Sequence, residues 1–408
     1  MIYTAVMGHG VVGSGVVEIL LGSNSLINQK IQDEIDVKYI LDLRDFEGLS
    51  YSDKFTKDFK KIVNDQDVKI VVEVMGGVNP AFDFVKRCLL AGKSVVTSNK
   101  ELVAAKGAEL LKIAKENSVN FLFEASVGGG IPILRPIAQC LAANEITEIK
   151  GILNGTTNYI LNKMIVDNMD FDSALSLAQE MGFAEKNPAA DIEGYDACRK
   201  VCILASLAFG KHVYPEQVTA EGIKNITLTD VEYADSFDCA IKLIGSAKKC
   251  EGGKIQASVK PMLVSRSNIL SDVDGVFNAI MVTGDAVGDV LFYGKGAGKM
   301  PTASAVVADV IDCAKHLHAR KYVDWQEGSP DYVITPDEEV RLYVYIQSDD
   351  YESLCKQFED TFSNNTWHIK NEFKKEIAFI TEADLENTLL QKINSIKADN
   401  IKVMHTLF

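Results

Sequence analysis

Three things are scarce in this chain of 408 residues. Basic charge is the first: 42 Lys and Arg face 57 Asp and Glu, for a formal net charge of −15, and no local basic stripe interrupts the acidic balance. A long phosphate backbone is repelled by such a surface, which excludes nucleic acid as a partner. Long apolar runs are the second. No window of about eighteen uninterrupted apolar residues occurs, and "MIYTAVMGHGVVG" has no basic region ahead of its apolar run, so no membrane span or secretory leader is expected and the chain reads as soluble and cytoplasmic. The third is paired cysteine: Cys88, Cys140, Cys198, Cys202, Cys239, Cys250, Cys313 and Cys355 include no CxxC. Small buried thiols are expected there, rather than disulfides or zinc ligands.

What is present is the composition of a globular protein, 47% hydrophobic and 24% charged, with a length that suits two or three domains. The first 125 or so residues alternate short Val/Ile-rich runs with helical patterns: "IYTAVM", "VKYILDL", "KIVVEVM", "SVVTS" and "VNFLF" mark the strands. Continuous apolar runs of this kind suit strands covered on both faces, hence an α/β, doubly wound parallel sheet. Its first turn, "GHGVVG", places Gly8, Gly10 and Gly13 directly after a strand and before a helical segment beginning Val11, Val12. There backbone can approach a pyrophosphate at a helix N-terminus, so a dinucleotide site of the Rossmann type is expected. At the end of the second strand, "ILDLRD" offers both Asp42, which suits a ribose 2′-OH, and Arg44, which suits a 2′-phosphate. The two signals conflict and leave NAD and NADP equally open.

From about residue 126 the pattern changes. "EASVGGGIPILRPI" is glycine-rich, and Asn154, Gly155, Thr156, Thr157 and Asn158 sit between two apolar runs; they read equally well as a turn with a helix N-cap or as the lining of a pocket. "DIEGYDACRK", residues 191–200, leads a charge cluster straight into "VCILASLAFG". On a helix spanning 194–209, Asp196 and Lys200 lie one turn apart on a stripe continuing through Ile203, Leu204 and Leu207. Such a pair on the surface contributes only a few tenths of a kcal/mol. Because this helix is apolar nearly all round beyond Lys200, the pair is expected at the mouth of a site, on the last exposed turn of a core helix, with burial lowering the pKa of Lys200 and the carboxylate restraining that shift. A lysine held in this way can exchange a proton near neutral pH.

The span "AQEMGFAEKNPAADIEGYDACRK" resembles the signature segment of homoserine dehydrogenases, with Ala178, Gly182, Asn187, Pro188, Asp191, Gly194, Asp196 and Lys200 in register. "GILNGTTNYIL", "TSNKELVA", "FEASVGGGIPI" and "GKGAGKMPTASAVVADV" resemble the family's other blocks, in the family's order. The resemblance implies NAD(P)-dependent interconversion of L-homoserine and L-aspartate 4-semialdehyde in threonine and methionine biosynthesis. Lys200 matches the acid/base lysine, and Lys100 a second lysine near nicotinamide and substrate. Glu185 and Asp196 match substrate-binding acids, although on the residues alone Glu185 reads as helix-end surface. Asp191, Thr157 and Tyr159 are further candidates for the substrate pocket, and Gly76, Gly182 and Gly298 for the cofactor. Glu124, Val127, Gly129 and Ile131 fall on a monovalent-cation site, for sodium or potassium, whose physical sense is that hard cations take oxygen ligands.

The same resemblance divides the chain into an NAD(P)-binding domain of residues 1–131 plus 291–325, an α+β substrate-binding and dimerisation domain of 132–290, and a terminal module of 338–408 beyond "WQEGSPDYVITPDEE". That module reads β-α-β-β-α-β and resembles an ACT-like, ferredoxin-like regulatory domain. The loop after its first strand, "SDDYES", lacks the usual Asp-x-Pro-Gly turn, which points to a dimerisation role at least as much as to an effector site. A homodimer or homotetramer acting on a small molecule is expected. The competing reading from another class is a non-catalytic nucleotide and amino-acid sensor.

Overall fold

A computed structural model describes residues 1–22, 24–321, 323–362 and 366–408. The amino-terminal third runs β1 (Ile2–Met7), α1 (Val11–Gly22), α2 (Asn24–Ile31), β2 (Ile35–Leu41), β3 (Phe55–Thr56), α3 (Phe59–Asn64), β4 (Val68–Glu73), α4 (Ala81–Leu90), β5 (Ser94–Thr97), α5 (Lys100–Glu116) and β6 (Phe121–Leu122). Its six strands pair in parallel in the order β3-β2-β1-β4-β5-β6. Val6, Val71, Val72, Val95 and Val96 are fully buried, as strands covered by helices on both faces require. Strand order reverses between β1 and β4, so the crevice outside their carboxyl ends is where such a sheet receives a ligand.

The middle of the chain comprises β7 (Ile146–Ile152), α6 (Gly155–Val166), α7 (Phe171–Glu180), α8 (Ala189–Ile192), α9 (Tyr195–Phe209), β8 (Thr219–Ala220), α10 (Leu228–Ser236), β9 (Cys239–Lys249), β10 (Ile255–Ser265), β11 (Phe277–Gly284), β12 (Gly288–Lys295) and α11 (Lys299–Lys315). Helix α11 returns to the first layer and packs on α1, where a Cβ on Gly15 would come within 3.0 Å of the Ala303 Cβ. The return begins at Lys299 rather than at the expected 291, because all of β12 pairs with β11, from Phe277–Lys295 to Gly284–Gly288. The crossing between layers is tied at Asp309, among other contacts. The Glu124 N–H donates to Asp309 on α11 at 2.8 Å, and Arg135 pairs with the same carboxylate.

The terminal segment adds β13 (Glu339–Val340), β14 (Leu342–Gln347), α12 (Tyr351–Thr361), β15 (Trp367–Asn371), β16 (Glu376–Ile380), β17 (Asp384–Leu385), α13 (Glu386–Asn394) and β18 (Asn400–Leu407). The expected β-α-β-β-α-β succession is present, with β13 and β17 as a small separate ribbon. It is not set apart by a break, however. Strand β18 pairs in parallel with β10 through Met262–His405 to Val264–Leu407, so one ten-stranded sheet runs through both units. Five of the cysteines are buried, whereas Cys140 is exposed and Cys250 and Cys355 are half-buried, less uniformly than expected. Among the described residues no single helix is long and apolar enough to cross a membrane.

Candidate active site

A cavity of about 870 Å³ opens between the two sheets, and its two ends are built differently. At the first end Gly8, in the left-handed region at φ +100°, turns the chain out of β1. A Cβ on Gly13 would meet the Gly8 carbonyl oxygen at 2.1 Å, so only glycine fits; beside Gly10 nothing lies within 4 Å. The first turn of α1 carries no acidic residue, and Val11 and Val12 line the cavity together with Gly76 and Gly298. Free N–H groups at a helix start, open space and no repelling carboxylate fit a dinucleotide pyrophosphate. The conflict read at the end of β2 is physical: Arg44 holds Asp42 through Nε at 3.0 Å and Nη2 at 2.9 Å, while the His9 N–H donates to the same carboxylate at 2.8 Å. The guanidinium keeps the Asp42 carboxyl well below the ordinary range.

At the other end, Gly194 in a left-handed conformation starts α9, and Asp196 and Lys200 follow one turn apart. They are 4% and 7% exposed, so the pair is enclosed rather than on an exposed turn as expected. Lys200 Nζ donates to Asp196 Oδ2 and to the Leu153 carbonyl, each at 2.7 Å. Lys100, the first residue of α5, reaches the other Asp196 oxygen at 2.7 Å. Burial pushes the Lys200 ammonium below its ordinary pKa, the Lys100 charge adds to that, and Asp196 restrains it. For Lys100 burial acts in the same downward direction, but the Asp196 carboxylate outweighs it and raises the pKa. Burial alone would raise the Asp196 carboxyl; the two ammonium groups overcome this and hold it well below the usual range. Asp191 goes the other way, raised by burial and then by the neighbouring Asp196 charge.

Asn154 organises this end. Its Nδ2 donates to Asp191 at 2.7 Å and to Asp196 at 2.8 Å, and its Oδ1 caps α6 by accepting the Thr157 N–H at 2.8 Å. The cap and pocket readings of this stretch are therefore both true of one side chain. Asn154 was legible only as one of five polar residues, because neither carboxylate it joins is near it in sequence. Glu185 and Gly182 line the cavity with Asp191, Asp196, Lys100 and Lys200. Thr157 and Tyr159 do not line it. Thr157 is fully buried with its hydroxyl turned to Asn154, Tyr159 packs edge-on against Phe183, and Thr156 and Phe183 occupy the wall instead. Of the residues expected to hold a cation, Gly129 reaches the cavity. The Glu124 carboxylate accepts the N–H groups of Ile133, Leu134 and Arg135 at 2.6, 2.9 and 2.8 Å, which commits it to capping the turn that follows.

A parallel sheet with a glycine turn at its switch point, and a cavity that also holds a buried Lys–Asp–Lys cluster, is the arrangement of a dinucleotide-dependent oxidoreductase. The family model "Homoserine dehydrogenase, NAD binding domain" matches residues 8–124, and that for homoserine dehydrogenase itself matches 132–311. A homoserine dehydrogenase of Synechocystis is 43% identical over 319 residues, 75% of this chain and 72% of its own. The crystal structure of one from Thiobacillus denitrificans superposes with a TM-score of 0.87 at 34% identity, over 99% of this chain and 98% of that one. A hyperthermophilic archaeal homoserine dehydrogenase mutant in complex with NADPH gives 0.66 at 30% identity, over 76% of this chain and 97% of that one. The chain belongs to the homoserine dehydrogenase family and is an NAD(P)-dependent oxidoreductase acting on a CH–OH group. The non-catalytic sensor reading has no support from these relatives.

Proposed function

We propose that Lys200 is the proton donor and acceptor in the interconversion of L-homoserine and L-aspartate 4-semialdehyde. The observation that carries this is the enclosed Lys200 ammonium, 2.7 Å from both Asp196 and the Leu153 carbonyl and at the wall of the cavity. When bound, the nicotinamide supplies a hydride acceptor. In the oxidative direction the hydroxyl proton passes to neutral Lys200 as the carbonyl forms; in the reductive direction the Lys200 ammonium returns it to the alkoxide. Lys100 faces the developing negative oxygen and lowers the pKa of Lys200 by charge repulsion. Asp196 orients both lysines, and Glu185 and Asp191 present carboxylates to the substrate α-ammonium.

Gly8, Gly10, Val11, Val12, Gly13, Gly76, Gly182 and Gly298 form the dinucleotide cradle in this reading, with Asp42 and Arg44 at its ribose end. A sodium or potassium ion would rest on backbone carbonyls of 124–131, since the Glu124 carboxylate already accepts three N–H groups. We divide the chain at Lys299 instead of 291, and read residues 338–408 as an ACT-like module serving dimerisation of a homodimer or homotetramer. Eight unpaired cysteines fit a cytoplasmic location. The test is absorbance at the reduced-nicotinamide band with L-homoserine and NAD+ or NADP+, for wild type and Lys200→Ala. Signal from the wild type alone supports the assignment; equal signal from the variant refutes it.

A further inference from the structure

Asn278, the second residue of β11, is fully buried, and among the described residues neither its Oδ1 nor its Nδ2 has a hydrogen-bond partner. Asn158, close by, shows the contrast: its Nδ2 donates to the carbonyls of Val273, Gly275 and Phe277 at 2.9, 3.1 and 3.3 Å. An orphaned buried amide destabilises a fold and an apolar side chain of the same shape would not, so its presence beside a cavity points to a state in which it is satisfied. Its position says which state. A Cβ on Gly296 would lie 2.1 Å from Asn278 Nδ2 and 2.6 Å from Oδ1, and one on Gly155 would lie 3.6 Å from Oδ1. Gly155 and Gly296 both line the cavity, so the amide stands one backbone thickness behind its wall. The wall here is residues 295–298 of "GKGAG", with Gly298 at φ +122° before α11; Gly294, just before it, is the strand partner of Asn278. Glycine backbone is free to rotate where other residues are not.

We propose that Asn278 is a positioning residue whose amide captures the Gly296–Ala297 backbone when the dinucleotide enters, fixing the 295–298 wall against the bound coenzyme. The inference rests on the cavity being the coenzyme site, as proposed above, but not on the role of Lys200. Asn278→Leu tests it, because a role in the ligand-free fold and a role in the bound state move different quantities. The expected result is a ligand-free Tm equal to or above wild type, a KM for the preferred coenzyme raised about tenfold, and a smaller rise in Tm on adding NAD+ or NADP+. Unchanged KM and thermal shift would overturn the proposal. So would a lowered ligand-free Tm with the coenzyme-induced shift intact. If the leucine variant fails to fold, hydrogen exchange on wild type and Asn278→Ser decides: the Gly296 and Ala297 amides should gain protection with coenzyme in the wild type only, and equal protection with and without coenzyme in the wild type sinks the idea. Lys200→Ala serves as the control, since it should keep the coenzyme-induced protection while losing turnover; loss of protection there, or retained turnover, would count against the site reading rather than against Asn278.

Discussion

The two ends of the cavity are made of different materials. The proposed dinucleotide end is mostly backbone: Val11, Val12, Gly76 and Gly298 line it, and the glycine turn behind them has the Gly13 position closed to any Cβ and the Gly10 position open for at least 4 Å. The other end is side chains, with Lys100, Asn154, Asp191, Asp196 and Lys200 brought from three segments and joined at 2.7–2.8 Å. Binding a pyrophosphate needs many donors and a close approach, which one turn supplies. Moving a proton needs one group with a displaced pKa, and burial together with a charged neighbour is what displaces it. The first end therefore tolerates no added atom at Gly13, and the second tolerates no lost charges.

Breaking the second end at Lys200, the proposed proton carrier, gives the largest expected effect. Lys200→Ala should lower kcat by about a thousandfold while the Kd for coenzyme changes little, measured by turnover and by fluorescence titration of NAD(P)H; near-normal kcat/KM would end the assignment. The matching break at the first end is Gly13→Ala. A methyl 2.1 Å from a carbonyl oxygen must displace backbone, costing about 1–3 kcal/mol, so coenzyme Kd should rise at least tenfold and Tm fall. Gly10→Ala, facing open space, should leave the ligand-free Tm in place and weaken coenzyme alone. Equal Tm losses for both alanines would contradict the division between a packing glycine and an approach glycine.

Asn154→Ala sharpens the comparison, because it removes no charge yet strips a donor from two carboxylates and the cap from α6. A loss of about 2 kcal/mol, roughly thirtyfold in kcat/KM, is expected. A fall in Tm with kcat/KM intact would reduce Asn154 to a cap. Lys100→Met tests the electrostatics by direction. In the proposed mechanism oxidation requires neutral Lys200, so its rate should rise with pH toward the Lys200 pKa, which lies below the ordinary 10.5. Removing the Lys100 charge takes away one cause of that depression and leaves Asp196 to act on Lys200 alone. Both changes raise the pKa, and the rising limb of the profile should move to higher pH; a limb that stays or moves down excludes the proposed repulsion.

This difference in materials also decided what could be read in advance. The Val/Ile runs of β1, β4 and β5 and the spacing of Gly8, Gly10 and Gly13 are local patterns, and they carry the parallel sheet and its glycine turn directly. The Asp196–Lys200 pair was local too, being one turn of α9, and only its degree of enclosure was missed, because Leu153 and Asn154 cover it from another segment. Lys100 and Glu185 have no pattern of their own, and their place came through the family resemblance. Thr157 and Tyr159 were misplaced because a helix starting at Gly155 turns Thr157 inward to its own cap. The continuity of β10 with β18 had no local signal: pairing between strands about 140 residues apart is fixed by packing alone, whereas the polar stretch before β13 read as a boundary.

The smallest expected effect lies at the rim of the dinucleotide end, where the comparison blurs because side chains enter it. Arg44 is bonded to Asp42 and to the His9 carbonyl, so each of the two specificity signals presently occupies the other. A 2′-phosphate would draw Arg44 off Asp42; a free 2′-OH would need Asp42 with Arg44 displaced. Arg44→Ala separates them. It frees the carboxylate for a ribose hydroxyl and removes the cation for a phosphate, so the ratio of kcat/KM for NAD+ to that for NADP+ should rise, by about tenfold for one charge-assisted contact of 1.5 kcal/mol. A ratio that does not move would mean that the Asp42–Arg44 pair stays closed with either coenzyme and takes no part in the choice.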